Sequence, residues 1–293
     1  RVFAVSDGPR SWRVLPGGMA RIATAQGDIA SMQRGGSSAD VWVVTPPEQA
    51  VDTTTLLAPH HSPATLAHSK RIVTSRAAEH LFWLGRYTER AENSLRLSRL
   101  TLDCLNGDRR SSVPLLTWLG QMASNNVLVQ SEVPMPAQRR RVFERSLVAS
   151  LANTAISGSV GYNLNCIKQS AFAVRERLSE EHWKVIVHAQ EEFFRRCAEY
   201  QSEGNYQTLD ALRVLDTTSG YLAAITGAQT DRMTRDDGWR LLSIGRHIER
   251  LGFLAASLEL GFSTGSVHDA SGFEAMIALF DSTITFHAQY QQS

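Results

Sequence analysis

The stretch Leu81-Phe-Trp-Leu-Gly-Arg-Tyr-Thr-Glu-Arg-Ala-Glu-Asn93 guides the interpretation of the whole chain, because its core returns far downstream as Leu242-Ser-Ile-Gly-Arg-His-Ile-Glu-Arg-Leu251. Both copies read apolar-Gly-Arg-x-x-Glu-Arg. The copies lie too far apart for a solenoid of short repeats. The pattern therefore indicates two related helices within one helical domain.

Each copy places its charged residues on one face of a helix, because residues three and four positions apart lie above one another. The two charged stripes consist of Arg86, Glu89, Arg90 and Asn93, and of Arg246, Glu249 and Arg250. Apolar residues flank both stripes, which predicts partial burial, and a buried arginine needs a carboxylate. Two interpretations follow. The stripes form either a structural ion-pair network between packed helices or a site for a ligand or partner.

The two helices, if adjacent, form a pseudo-two-fold cluster. Gly85 and Gly245 would permit a close approach, and each glutamate would meet arginines of the other copy. Four arginines would face two glutamates, with Glu92 as a candidate third carboxylate, and the surplus charge would suit a peptide carboxylate or a phosphate. Alternatively, Asp281 or another carboxylate completes the network. If the site binds a ligand, Arg86→Lys should leave stability nearly intact but abolish ligand capture.

The composition is that of an ordinary globular protein. The 293 residues carry a formal net charge of +1 and are 43% hydrophobic, which argues against an extended nucleic-acid surface as the main role. Cys104, Cys166 and Cys197 lack C-x-x-C spacing, so they are expected to be small buried hydrophobes in a reducing compartment. No apolar run is long enough to predict a membrane span, so a cytoplasmic location is expected. The chain starts at Arg1 in strand-like sequence, which indicates a piece of a longer polypeptide.

Residues 1–45 predict short β-structure that cannot bury its own faces. The predicted features are a hairpin of residues 1–5 and 12–15 around Asp7-Gly-Pro, a break at Pro16-Gly-Gly18, a strand or turn over 19–24, and a strand over 41–45. Residues 46–70 are rich in proline and threonine and predict a linker. Its histidines His60, His61 and His68 have no carboxylate or thiolate at ligand spacing, so no metal site is expected.

From Ser75 the hydrophobic period becomes helical, which predicts an all-α, bundle-like domain over residues 71–293 preceded by the short β segment. The predicted helices span residues 75–106, 112–124, 138–153, 159–178, 180–202, 206–229, 235–262 and 271–290. Ser179 should cap one helix, and Thr234 with Asp237 has capping-box spacing before another. Gly265 is placed to end the long helix in a left-handed conformation.

Sequence patterns for familiar chemistry are absent. The helices contain no Glu-x-x-His pairs for a di-metal centre, and no Gly-x-Ser-x-Gly nucleophile elbow occurs. The loop Arg34-Gly-Gly-Ser-Ser38 is either a simple turn or a set of backbone N–H groups for a phosphate. No catalytic residue is predicted within this chain.

Two families resemble parts of the sequence. The N-terminal part resembles the C-terminal end of a circularly permuted ATP-grasp domain of type 2. The stretches that carry this resemblance are Arg1-Val-Phe-Ala-Val5, Trp12-Arg-Val-Leu-Pro-Gly-Gly-Met-Ala-Arg21 and Ser31-Met-Gln-Arg-Gly-Gly-Ser-Ser-Ala-Asp-Val-Trp-Val43. The remainder resembles the alpha-E domain, a helical domain named for its Glu-Arg motif. The motifs that carry this second resemblance lie at residues 80–93, 174–183, 233–240, 245–250 and 281–285.

The joint resemblance implies a bacterial ATP-dependent carboxylate–amine ligase fused to an accessory helical domain that binds a peptide substrate or partner. It implies that Arg1, Arg21, Gly35 and Gly36 lie beside the nucleotide phosphates. Ala39 departs from the lysine that many relatives carry there. ATP and Mg²⁺ are expected in the full-length protein but not on this chain alone, because residues 1–45 lack a metal-binding carboxylate cluster.

Partner expectations follow from the same resemblance. They are the upstream ATP-grasp region of the same polypeptide and a peptide substrate or transglutaminase-like protein, with no nucleic acid and no membrane. The rival interpretation is a non-catalytic helical interaction module whose Arg/Glu stripes hold its helices together.

Overall fold

The chain divides into two units, Arg1–Arg71 and Ile72–Ser293. The structure is a computed structural model that describes residues 4–6, 8–14, 17–22, 37–42, 73–107, 111–202 and 208–290. The mainly helical fold class is confirmed. The predicted linker at residues 46–70, with its three histidines, lies outside the described residues.

The first unit contains two antiparallel hairpins. Strand β1 (Ala4–Ser6) pairs with β2 (Trp12–Val14), and β3 (Gly17–Ile22) pairs with β4 (Ser37–Trp42). The first hairpin was predicted. The predicted break at residues 16–18 is wrong at Gly17 and Gly18, because both lie in β3. Gly17 begins β3 with φ 149°, and an added Cβ there would lie 2.9 Å from the Val41 carbonyl oxygen. The strand predicted over 41–45 starts earlier, at Ser37.

The second unit is helical throughout. Its described helices are α1 (Ser75–Asn106), α2 (Val113–Asn125), α3 (Arg140–Ser150), α4 (Val160–Ala173), α5 (Glu180–Ser202), α6 (Thr208–Asp231), α7 (Asp237–Ser263), α8 (Ala270–Leu279) and α9 (Thr283–Tyr290). Short 3₁₀ turns follow α4 at Arg175–Arg177 and α7 at Ser266–His268. None of these helices combines the length and the apolar character needed to cross a membrane.

Two sequence predictions about helix ends are corrected. The helix predicted over 271–290 is two helices, because Asp281 adopts φ 54° between α8 and α9, a left-handed conformation that aspartate tolerates better than most residues. The N-cap of α7 is Asp236, whose carboxylate accepts from the Trp239 N–H at 3.0 Å, rather than Thr234. Gly265 has the predicted left-handed conformation after α7, with φ 74°.

Helix α1 is the centre of the second unit. The Thr74 side chain caps it by accepting from the Ala77 N–H at 3.2 Å, and it contacts α2, α3, α4, α6, α7 and α8. From Thr88 to Leu95 every residue is buried, polar ones included. Threonine is tolerated in this core because its hydroxyl can donate a hydrogen bond to a carbonyl of the same helix. The Thr88 hydroxyl donates to the Leu84 carbonyl at 2.8 Å. The charged side chains on the buried part of this helix are removed from water, so they must be paired.

The buried His182 is expected to make the fold sensitive to acid. His182 lies at the start of α5, and neither ring nitrogen has a hydrogen-bond partner among the described residues. Burial, aided by the Arg232 charge, lowers the pKa of His182 from 6.5 to about 4. Between pH 6.5 and pH 4 the unfolded chain therefore binds a proton at His182, whereas this residue stays neutral in the folded chain. Over that window we expect this group to remove up to about 3 kcal/mol of stability.

Urea unfolding at pH 7 and pH 4 checks this expectation. His182→Gln should lose less stability between the two pH values than the wild-type chain does. His188→Gln is the matched control, since His188 is exposed on the same helix, and it should keep the wild-type pH dependence. Equal pH dependence in all three proteins would contradict the assignment.

Candidate functional site

The two Gly-Arg-x-x-Glu-Arg motifs meet where α1 and α7 pack backbone to backbone. A Cβ added at Gly85 would lie 2.1 Å from the Leu242 carbonyl oxygen, and one added at Gly245 would lie 2.2 Å from the Phe82 carbonyl oxygen. No other residue type fits such an approach without moving the helices. The contact expected from the repeat is therefore present, and it brings the charged stripes of the two helices together.

Glu249 on α7 binds two arginines of α1. Arg86 donates from Nε to Oε2 at 2.7 Å, while Arg90 donates from Nε to Oε1 at 2.6 Å and from Nη2 to Oε2 at 2.8 Å. The Arg90 pair is bidentate, the geometry in which a guanidinium binds a carboxylate most specifically. One carboxylate thus fixes the charged stripe of α1 against α7.

The second half of the cluster repeats this arrangement with the helices exchanged. Glu89 on α1 accepts from Arg250 Nε at 2.7 Å and from Arg250 Nη2 at 2.9 Å. Arg246 Nη2 lies 3.5 Å from Glu89 Oε2. In the part of the chain that the structure describes, each glutamate binds only arginines of the opposite helix. The result is a crossed, pseudo-two-fold set of ion pairs, which we call the Glu-Arg cluster: Arg86, Glu89, Arg90, Arg246, Glu249 and Arg250.

The Glu-Arg cluster is buried unequally. The Glu89 side chain is 2% exposed, whereas its partner Arg250 is 50% exposed. Burial alone would raise the pKa of Glu249, but Arg90 and Arg86 outweigh it and the pKa is lowered. Burial likewise opposes the charge on Arg90, but its bonds to Glu249 raise the pKa. Glu249 and Arg90 therefore favour the ionised form in each other.

Aromatic rings hold the arginines of α1 in place. The Arg86 guanidinium lies 5.4 Å from the Trp83 ring centre, and that of Arg90 lies 5.8 Å from the Tyr87 ring centre. A lysine cannot reproduce both the flat stacking and the contact to Glu249. The sequence-based expectation for Arg86→Lys stays a prediction, and the contacts of Arg86 to Glu249 and Trp83 are those that a lysine would have to replace.

The two other candidate carboxylates make no hydrogen bond to the cluster among the described residues, although the Glu92 charge adds to the effect of Glu89 in raising the pKa of Arg250. Glu92 accepts from the Thr226 hydroxyl on α6 at 2.6 Å and lies 3.6 Å from Arg96. Asp281 makes no ion pair with the described residues. The cluster therefore keeps four arginines against two glutamates. Asn93, the last member of the first stripe, is buried with no described partner for its Nδ2 atom.

The remaining sequence-based site predictions stay predictions. Arg1, Gly35 and Gly36 lie outside the described residues, and for Arg21 only the backbone is described, paired with Ser38 in the second hairpin. Of the cysteines, Cys197 is buried as predicted, but Cys104 and Cys166 are only partly buried. No group of three histidines, cysteines or carboxylates that could hold a metal occurs among the residues described.

Sequence reasoning missed one charged residue of this region. Arg96 lies on α1 three positions after Asn93 and continues the same stripe. Together with Asn93 and Arg250 it lines a cavity beside the cluster. The signal that could have identified Arg96 was its i+3 spacing from Asn93. It was missed because the repeated motif ends before Arg96.

These features define a helical domain held together by a crossed Glu-Arg cluster at a glycine-mediated helix contact. Residues 73–293 match the Alpha-E family, which is described as "A predicted alpha-helical domain with a conserved ER motif". The chain belongs to this family. Glu89-Arg90 and Glu249-Arg250 are both Glu-Arg dipeptides, and both contribute to the cluster.

Among known proteins the chain is similar to uncharacterized proteins of Mycobacterium bovis and Mycobacterium tuberculosis. Each is 29% identical over 282 residues, which cover 90% of this chain but 30% of the relative. The chain thus spans about 30% of the length of these curated relatives. No solved structure matches it.

Proposed function

We propose that this chain is the C-terminal accessory part of an ATP-dependent carboxylate–amine ligase whose helical domain binds a peptide-type substrate. Two considerations support the ligase assignment. Residues 1–43 carry the ATP-grasp resemblance, and the mycobacterial relatives are long enough to hold a further catalytic region. A cytoplasmic location, where ATP is available, belongs to the same proposal.

The observation that carries the binding role is the surplus of guanidinium groups where α1 and α7 meet. Two glutamates neutralise two of the four arginines, and Arg250 is half exposed at the edge of the cluster. A guanidinium at a partly buried edge attracts carboxylates and phosphates, which it binds in a bidentate fashion. A peptide carboxylate is both the donor group of such a ligase and an anion of this kind.

Nucleotide titration tests the ligase assignment. We expect this chain alone to show no micromolar affinity for Mg-ATP in isothermal titration, because the residues that would hold the metal are expected elsewhere in the polypeptide. The full-length mycobacterial relative should bind Mg-ATP, and a version cut to the part that aligns with this chain should not. A full-length relative that fails to bind Mg-ATP would refute the ligase assignment.

A second candidate function is a non-catalytic interaction module. The outer face of α7 exposes Ile244, Ile248 and Leu251, with exposures of 49%, 47% and 66%. Together with Trp239 they line a shallow apolar hollow of about 490 Å³. Exposed apolar patches of this kind mark protein interfaces. This function would be favoured if Ile248→Glu abolished assembly of the full-length relative while Mg-ATP titration gave no binding.

A further inference from the structure

A second feature lies beside the Glu-Arg cluster, a cavity of about 640 Å³ between α1, α7, α8 and α9. Most of its wall is apolar: Leu254, Leu258, Phe273, Met276, Phe280 and Phe286. The Phe273 and Phe286 rings, 5.3 Å apart and nearly perpendicular, join α8 to α9. The volume falls within the roughly 300–1,000 Å³ of typical ligand pockets.

The polar part of the cavity wall on α1 and α7 includes two guanidinium groups, those of Arg96 and Arg250. Asn93 also lines the cavity, but its unpaired Nδ2 is fully buried and offers no donor to a ligand there. Arg250 and Arg96 line the same cavity, and the nearest carboxylate oxygen to Arg96 is at 3.6 Å, on Glu92. Glu89 also lines the cavity, but Arg250 and Arg246 already occupy its oxygens.

We propose that this cavity binds the C-terminal carboxylate of a peptide whose last residues are apolar. The carboxylate accepts from Arg96 and Arg250, while the apolar side chains lie against the phenylalanines. This proposal rests on the proposed function and names the site and the substrate end for it. A buried carboxylate is stable only where charge-assisted hydrogen bonds replace water, and this end of the cavity supplies them.

The opposite wall favours a peptide over a fatty acid. Asp281 and Ser282 line the cavity beside Phe280, and the Asp281 carboxylate has no described side-chain partner. These oxygens are acceptors for the backbone N–H groups of a peptide. A hydrocarbon tail would bury the same groups without offering a donor.

Titration of the 293-residue chain with N-acetyl-Ala-Leu-Phe tests the proposal. The peptide acid should bind, and its C-terminal amide should bind at least about tenfold more weakly, because the loss of one charge-assisted bond has that order of effect. Arg96→Gln should weaken binding by a similar factor with little change in the urea midpoint, because Arg96 is 32% exposed and its ion pair with Glu92 is long, at 3.6 Å. Arg240→Gln is the control, since Arg240 is exposed on α7 outside the cavity and pairs with Asp237. It should leave binding unchanged.

A variant that fills the cavity and a competing ligand provide two further tests of the proposal. Leu258→Trp adds bulk at a half-exposed position of the wall and should abolish peptide binding in a protein that still folds. Equal binding of acid and amide, or no binding of either, would overturn the proposal. Decanoate that bound as tightly as the peptide would identify a fatty-acid site and overturn the peptide assignment. The peptide titration contains no nucleotide, so its outcome is independent of the Mg-ATP titration. If the full-length relative binds Mg-ATP but this chain does not bind the peptide, only the peptide site is refuted. If this chain binds the peptide but the full-length relative does not bind Mg-ATP, only the ligase assignment is refuted.

Discussion

Replacing Glu89 by glutamine is expected to lower the free energy of unfolding by roughly 3–5 kcal/mol, the cost of removing one partner from a buried ion pair. The Glu89 side chain is 2% exposed and binds Arg250 and Arg246. Glutamine is the same size but carries no charge, so two guanidinium groups would stay beside a neutral amide. Urea unfolding at pH 7 measures the loss.

The matched control is Glu192→Gln on the surface of α5. Glu192 also holds two arginines, with Arg195 Nη2 at 2.7 Å and Arg196 Nε at 2.5 Å. This pair of contacts faces solvent, where such ion pairs contribute about 0–1 kcal/mol, so the substitution should cost little. The substitution is the same in both variants, but the Glu89 pairs are buried between two helices, whereas the Glu192 pairs lie on the surface of one helix. Similar losses in the two proteins would contradict the prediction that the buried Glu-Arg cluster contributes more to stability than a surface ion pair does.

Gly85→Ala is expected to be comparably damaging, with a loss of roughly 3 kcal/mol, at the upper end of the cost of overpacking. The new methyl group would lie 2.1 Å from the Leu242 carbonyl oxygen, which is a backbone atom and cannot rotate away. The helices α1 and α7 would have to separate, and the bonds of the Glu-Arg cluster would lengthen with them. Thermal or urea unfolding measures the effect.

Gly252→Ala on α7 separates this steric effect from helix propensity. Gly252 is exposed, and a Cβ there would meet nothing within 4 Å. Alanine should therefore stabilise the helix by roughly 0.5–1 kcal/mol relative to glycine. The two substitutions are chemically identical and should have opposite signs. Stabilisation by Gly85→Ala as well would mean that the helices do not approach so closely.

Much of the Glu-Arg cluster could be predicted from sequence because its information is local. The Gly-Arg-x-x-Glu-Arg spacing places glycine and both charges on one helical face, and the repeat of that spacing names the partner helix. Helix α1 was predicted with the same ends, Ser75 and Asn106, that the structure shows. Periodicity is strongest in long helices, which explains this accuracy.

The rest depends on contacts that local patterns do not encode. The turn at Asp281 divides the last predicted helix, and without that turn α8 and α9 could not form one side of the cavity. The partner of Glu92 is Thr226, a hydroxyl on α6 that no spacing rule singles out. Such choices are made by tertiary packing, which overrides helix propensity.

The crossed pairing also has a consequence during translation. Glu89 and Arg250 are 161 residues apart, so at roughly 5–20 residues per second the ribosome needs on the order of ten seconds to supply the second partner. Throughout that interval the nascent chain already contains α1, the helix around which the rest is packed, with its glutamate and arginines unmatched. The charged face of the central helix must therefore stay hydrated until α7 emerges, and the docking of α7, the last long helix of the chain, completes the core.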